Sequence, residues 1–151
     1  MILSACSNNS DAAKQESSAT ATAAAADDAA IRKILKDITA SKTAAEMAAP
    51  FADDAEWIIV GHAPFKGRPA IEKGIAAVLD PAHKLVFDSL DVKEVILLSD
   101  HQALAKSVSV YHVETNGKSG PATRNEFADY FVKSANGTWQ IAYEINSDEN
   151  G

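Results

Sequence analysis

The run Asn125-Glu126-Phe127-Ala128-Asp129-Tyr130-Phe131 holds the sharpest chemistry in this chain. Read as a strand, its alternation sets Asp129 on one face with Phe127 and Phe131. A carboxyl between two aromatic rings is desolvated, which disfavours its charged form and raises its pKa. Such a group can donate a proton or a hydrogen bond near neutrality. A second set lies further on, where Glu144 and Asn146 share a face with Gln140 and Ala142, opposite Trp139, Ile141 and Tyr143. Period two does not decide which of these faces points inward, because either face of a sheet can be covered. His62 lies in a loop bracketed by Gly61 and Gly67, where it faces a ligand or solvent.

Other chemistries lack residues. His62, His83, His101 and His112 form no His-x-His and no i, i+4 pair, and no carboxylate stands at zincin spacing. His112 and Glu114 share a strand face, but two ligands are a common coincidence, so neither a metal nor another cofactor is expected. No Gly-x-Ser-x-Gly elbow occurs, and the sole cysteine, Cys6, lies in the tail, so no nucleophile is in view. The net charge of -7 and the scattered lysines and arginines exclude the basic face that a phosphate backbone demands. Nucleic acid is not an expected partner.

The elements that position these residues follow from periodicity. Ile31, Ile34, Leu35 and Ile38 form one helical stripe, started by Asp27 or Asp28. Thr43-Ala44-Ala45-Glu46 is a capping box opening a short helix that Pro50 halts. Residues 56–60 read as a buried strand, and Pro69 starts a third helix burying Ile71, Ile75, Val78 and Leu79. Strands follow at about 84–98 (long, bent or bulged), 102–114, 123–133 and 138–146. Asn116-Gly117 and Asn136-Gly137 mark the hairpin turns between the last three. Three helices and then a run of antiparallel strands make an α+β domain with helices on one face of a curved sheet.

Ahead of this domain, residues 7–26 are rich in alanine, serine and threonine and cannot bury a core, so they read as a flexible tether whose alanine-rich end can extend the next helix by a turn or two. The run Leu3-Ser4-Ala5-Cys6 resembles a bacterial lipobox, in which the cysteine receives a lipid. Residues 1–6 are then the remnant of a lipoprotein signal; otherwise Cys6 is a surface thiol. The anchor would put the protein in the cell envelope, lipid-bound or periplasmic or extracellular, touching membrane only through Cys6.

Two blocks carry a family resemblance. One is Phe51-Ala52-Asp53-Asp54-Ala55-Glu56-Trp57 running into Gly61-His62-Ala63-Pro64-Phe65-Lys66-Gly67-Arg68-Pro69-Ala70-Ile71. The other is Gly137-Thr138-Trp139-Gln140-Ile141-Ala142-Tyr143-Glu144-Ile145-Asn146-Ser147-Asp148. Together they resemble the SnoaL-like, domain-of-unknown-function 4440 branch of the nuclear transport factor 2-like superfamily, over a domain of residues 27–149. The resemblance implies a cone with a small-molecule pocket between helices and sheet. It implies that Glu144 and Asn146 look into that cone and that Trp57 walls it. Asp129 falls where distantly related ketosteroid isomerases hold an acid that donates to an enolate oxygen. Trp57 and Ile59 occupy the place of those relatives' catalytic carboxylate, and no tyrosine on the first helix completes the oxyanion site.

The expected ligand-binding set is therefore Trp57, Ile59, His62, Asn125, Phe127, Asp129, Glu144 and Asn146, with Asp129 the catalytic candidate. Three functions remain open. The first is an envelope protein binding a small, largely apolar molecule. The second is an isomerase, dehydratase or cyclase that uses Asp129 with Glu144 or His62 for proton transfer. The third is a structural module with a vestigial pocket. Apolar residues on both sheet faces, with Val108, Val110, Ala128, Tyr130 and Val132 on the even-numbered side, also predict a homodimer.

Overall fold

The periodicities above become helices and a single curved sheet in a computed structural model that describes residues 9–79 and 82–148. In chain order the elements are α1 (Asn9–Ala40), α2 (Ala44–Ala48), β1 (Phe51–Ile59), β2 (Phe65–Lys66), α3 (Arg68–Ala76), β3 (His83–Ser99), β4 (Gln102–Thr115), β5 (Lys118–Ser119), β6 (Thr123–Lys133) and β7 (Trp139–Asp148). The strands run β2-β1-β7-β6-β4-β3, with β5 added to β4. Among the described residues only β1 and β7 pair in parallel, so the sheet is mixed and mostly antiparallel. The expected α+β architecture is present.

Helix α1 starts at Asn9, well before the expected Asp27. The stretch read as a flexible tether is therefore helical from Asn9 on. Alanine is the strongest helix former, and a segment with no face to bury can still propagate a helix into solvent. Residues 20–23 are accordingly exposed. From Asp27 onward the helix is anchored to the sheet. Lys133 donates to Asp27 Oδ1 and Oδ2 at 2.7 and 2.9 Å, and Trp139 Nε1 donates to Oδ1 at 2.9 Å. Arg32 donates to the Val92 carbonyl at 2.8 Å, next to a register shift in β3. The lipobox-like residues 1–6, Cys6 included, lie outside the described residues.

The Thr43 capping box forms as expected, with Glu46 N donating to Thr43 Oγ1 and Thr43 N to Glu46 Oε2. Strand β1 begins at Phe51, five residues earlier than read. Phe51, Ala52 and Ala55 are buried while Asp53 and Asp54 are exposed, so the alternation that signals a strand is broken there. Arg68 ties down this irregular stretch, donating to the Phe51 carbonyl and pairing with Asp53. Gly67, at φ 81°, turns the chain into α3. Ile71 and Ile75 are buried as expected. Val78 is instead exposed and Leu79 only partly buried, because the helix ends at Ala76 and the stripe ends with it.

Beyond α3 the strands curve. Register shifts break β3 between Phe87 and Ser89, between Val92 and Glu94, and between Leu97 and Ser99. Each extra residue bends the strand and increases its twist. The core lies between helices and concave face, built from Ile31, Leu35, Ile71, Ile75, Phe131 and Ile141. Toward the other end, the inward positions of β4, the neighbour of edge strand β3, are small: Ala103, Ala105, Ser107 and Ser109. Small side chains on a bent sheet do not fill the space beneath the helices.

Candidate functional site

That unfilled space is a cavity of about 320 Å³. Leu35 and Ile38 of α1, Ile75 of α3, and Leu85, Phe87 and Leu90 of β3 form much of its apolar wall. All eight residues of the expected ligand-binding set line it: Trp57 and Ile59 from β1, His62 from the following loop, Asn125, Phe127 and Asp129 from β6, and Glu144 and Asn146 from β7. Asn125, Asp129, Glu144 and Asn146 are buried, whereas His62 is exposed.

Strand β6 delivers its three residues by regular alternation. Strand β7 does not alternate regularly. Phe131 pairs with Ile141 but Tyr130 pairs with Tyr143, so Ala142 is an extra residue and the parity of the strand flips there. Trp139 and Ile141 therefore enter the core before the bulge, and Glu144 and Asn146 enter the cavity after it. The two opposed readings of this strand are each right for half of it. Tyr143 and Ile145 are left on the outer face.

The bulge also brings two acids together. Asp129 and Glu144 are direct cross-strand partners on the inward face. Asp129 is only 1% exposed, and neither of its oxygens receives a hydrogen bond from a fixed donor. A proton carried by the pair itself can bridge the two carboxyls. Burial pushes Asp129 up to about 7, with a hydrogen bond to Glu144 pulling the other way. Glu144 is lifted well above the usual carboxyl range by burial, by the charge of Asp129 and by that same hydrogen bond. Burial and mutual repulsion both disfavour two charges here, so the pair favours holding a shared proton.

Around this pair the polar groups are few. Trp57 Nε1 donates to Asn146 Oδ1 at 2.9 Å, and the Trp57 ring stacks on Phe65 with centroids 5.2 Å apart. Phe65 can lie there because α3 presents Gly74, where a Cβ would come within 2.7 Å of the ring. Ser109 Oγ and Asn125 Oδ1 lack partners and face each other across β4 and β6. Ser107, Ser109 and Tyr111 of β4 also line the cavity. They are absent from the expected set although alternation on β4 places them opposite Val108 and Val110, so the pattern that found the outer face also marks them.

No group of three histidine, cysteine or acidic side chains able to hold a metal occurs among the described residues. His112 is occupied elsewhere, with Nδ1 2.9 Å from Asp88 and Nε2 4.0 Å from Glu114. The cavity's chemical means are thus a proton-sharing carboxyl pair, buried oxygens without donors, and apolar or aromatic walls.

No protein-family model and no curated protein matches the sequence. Solved structures do match. A ketosteroid isomerase-like protein from Erwinia carotovora atroseptica superposes with a TM-score of 0.68 at 20% identity, covering 81% of this chain and 92% of that one. A type 3 hexachlorocyclohexane dehydrochlorinase from Novosphingobium barchaimii gives 0.72 at 16% identity, with 85% and 90% covered. A nuclear transport factor 2-like protein with a cystatin-like fold from Novosphingobium aromaticivorans gives 0.65 at 22% identity, with 88% of each chain covered. At these identities the likeness speaks for the fold: this chain has the nuclear transport factor 2-like cone, three helices on a curved, mostly antiparallel sheet.

Proposed function

We propose that the cone binds a small, largely apolar molecule. The observation that carries this is the cavity of about 320 Å³, apolar over most of its wall, with its buried polar side chains on the strand faces of β4, β6 and β7. A pocket of that size and character suits one small ligand. Trp57, Phe87 and Phe127 line the space without filling it, which weakens the reading as a vestigial structural module. Native mass spectrometry of the purified protein tests the proposal. A retained mass, displaced when Phe127→Trp narrows the cavity, supports it. A protein that comes through bare and gives no change in Trp57 fluorescence with any of a panel of apolar molecules refutes it.

A second reading, proton-transfer catalysis of the isomerase, dehydratase or cyclase sort, is favoured by the facing carboxyls of Asp129 and Glu144. Glu144 is the better partner for Asp129 here, since His62 is exposed. Deuterium exchange from solvent into a bound ligand, lost in Asp129→Asn, distinguishes a catalyst from a binder.

The setting is also proposed. Lipidation at Cys6 would hold the cone at a membrane surface with the solvated part of α1 as spacer. Metabolic palmitate labelling that survives Cys6→Ala rules this out. A homodimer is proposed through the outer sheet face, where Ile96, Leu104, Tyr130 and Tyr143 follow one another in register across four strands. Ile96, Leu104 and Tyr143 are 36%, 37% and 45% exposed, a patch that association would cover. Sedimentation at micromolar protein checks it, a concentration-independent monomer mass being the contrary result.

A further inference from the structure

We propose that the Asp129–Glu144 end of the cone is an ammonium site, and that the ligand is a hydrophobic amine bearing at least one N–H. This rests on the cone being a small-molecule site and adds the chemical class. The first support is a mismatch in hydrogen-bonding inventory. Among the described residues, the buried polar atoms that receive no hydrogen bond from a fixed donor are Ser109 Oγ, Asn125 Oδ1 and both oxygens of Asp129, whose one partner is the facing Glu144 carboxyl. Asn125 Oδ1 is an acceptor, and the carboxyl pair, with one shared proton for four oxygens, has more acceptor sites than donors. Exchanging the oxygen and nitrogen of the Asn125 amide would change one of them and leave both Asp129 oxygens as they are. Buried acceptors are ordinarily satisfied, so a cavity with surplus acceptors suits a ligand that brings donors.

The second support is charge. No lysine or arginine is among the described residues lining the cavity, so the protein supplies no fixed cation to the pair. Lys133, the cation nearest in sequence on β6, is already bonded to Asp27. An anionic ligand would meet repulsion in a poorly solvated space, and a neutral carbonyl could draw only on the one proton that the pair already shares. A substituted ammonium meets acceptors and, on ionisation of the pair, a counter-charge.

The third support is the wall. Trp57, Phe87, Tyr111 and Phe127 surround the space with aromatic rings, whose faces attract a desolvated cation as well as burying hydrocarbon. The Asn125–Ser109 row lies about 13 Å along β6 from Asp129, too far to reach the same ammonium. The amine therefore belongs to the Asp129–Glu144 end.

Three probes of one shape test this: 1-adamantanamine, 1-adamantanol and 1-adamantanecarboxylate, titrated calorimetrically into the whole protein. The amine should bind at least tenfold tighter than the alcohol, and the carboxylate more weakly than either. At pH 6, titrations in buffers of different ionisation enthalpy should show a proton released with the amine and none with the alcohol. With Asp129→Asn and Glu144→Gln combined, the preference for amine should vanish while the alcohol still binds. An alcohol as tight as the amine, or amine binding without proton release, overturns the ammonium site and leaves the small-molecule cone standing. Binding of none of the three at millimolar concentration overturns both. The proton-release measurement needs no variant, so it decides the matter even if the double substitution fails to fold.

Discussion

Two aspartates near the inner sheet face have opposite fates. Asp27 receives three hydrogen bonds, two from Lys133 and one from Trp139, and Lys133 also lies over the Trp139 ring at 4.7 Å. Asp129, on the same strand as Lys133, receives none from a fixed donor and faces another acid. Burial would lift the Asp27 carboxyl, but hydrogen bonds from Lys133 and Trp139 and the Lys133 charge hold it below its usual range. Burial lifts Asp129 with too little to oppose it. The fold therefore can satisfy a carboxylate where one serves to fasten α1 to the sheet. An acid left without donors beside an open cavity costs stability, and such a cost is expected where a site must exchange protons or meet a ligand.

The largest effect expected from this contrast is in the pH dependence of stability. Asp129 has a folded pKa of about 7 against an ordinary 3.8, so the fold favours its neutral form. Its favourable contribution is complete below the unfolded value and is lost as pH rises through the folded one. A tenfold difference in proton affinity between folded and unfolded chain is worth about 1.4 kcal/mol, so the loss between pH 4 and 8 is at most about 4 kcal/mol. Glu144 acts in the same direction. Asp129→Asn should flatten this slope and raise the urea midpoint at pH 8. A variant less stable than the parent at pH 8, with the slope unchanged, would mean that Asp129 is stabilised as an anion.

Asp27→Ala tests the other half. It leaves the Lys133 ammonium and the Trp139 indole N–H without their partner, in a cluster only about one-fifth exposed. The expected loss is about 2 kcal/mol at pH 7, read from the denaturant midpoint. Because the Asp27 pKa is depressed, its contribution is present above the unfolded value and disappears as pH falls through the folded one. The penalty for Asp27→Ala should therefore shrink in strong acid, where Asp129 is at its most favourable. Equal penalties at pH 7 and pH 2 would deny Asp27 its role as a charged anchor.

A smaller change extends the comparison within the cavity. Trp57→Phe keeps most of the wall but removes the donor to Asn146 Oδ1, an atom on a residue 5% exposed. One more buried acceptor is then orphaned, at a cost of about 1 to 2 kcal/mol. Thermal unfolding measures it, and an unchanged midpoint would show that water or Asn146 itself makes good the loss.

The two aspartates were not equally legible in the chain. Asp129 stood out because β6 alternates without interruption, so its neighbours Phe127 and Phe131 declare its face. Its partner Glu144 was ambiguous because a single extra residue, Ala142, reverses the parity of β7, and nothing in a run of ordinary strand formers marks that point. The early start of β1 was hidden for the same reason, with exposed Asp53 and Asp54 set between buried Ala52 and Ala55. The Asp27 cluster joins residues 106 and 112 positions apart, which local pattern cannot connect. Helix elements with a buried stripe were readable, whereas the solvated part of α1 had no stripe to read and depends on alanine propensity alone. Period and turn chemistry therefore carry the architecture, and the site's decisive contact depends on a bulge.

The smallest effect belongs to a third aspartate, which serves as the control. Asp37 pairs with Lys33 one turn earlier on α1, at 57% and 73% exposure. Asp27 and Asp37 thus sit on one helix and pair with the same cation type, and they differ chiefly in burial and in the indole donor. On the surface the Coulomb gain is screened by water and salt, and ordering two flexible side chains offsets much of what remains. Asp37→Asn should change stability by no more than about 0.5 kcal/mol, with little of that surviving in 0.5 M salt. A loss matching that of Asp27→Ala would mean that charge on α1, rather than satisfied burial against Lys133 and Trp139, is what fastens the helix. The contrast between the anchored and the unpaired carboxylate would then need a different cause.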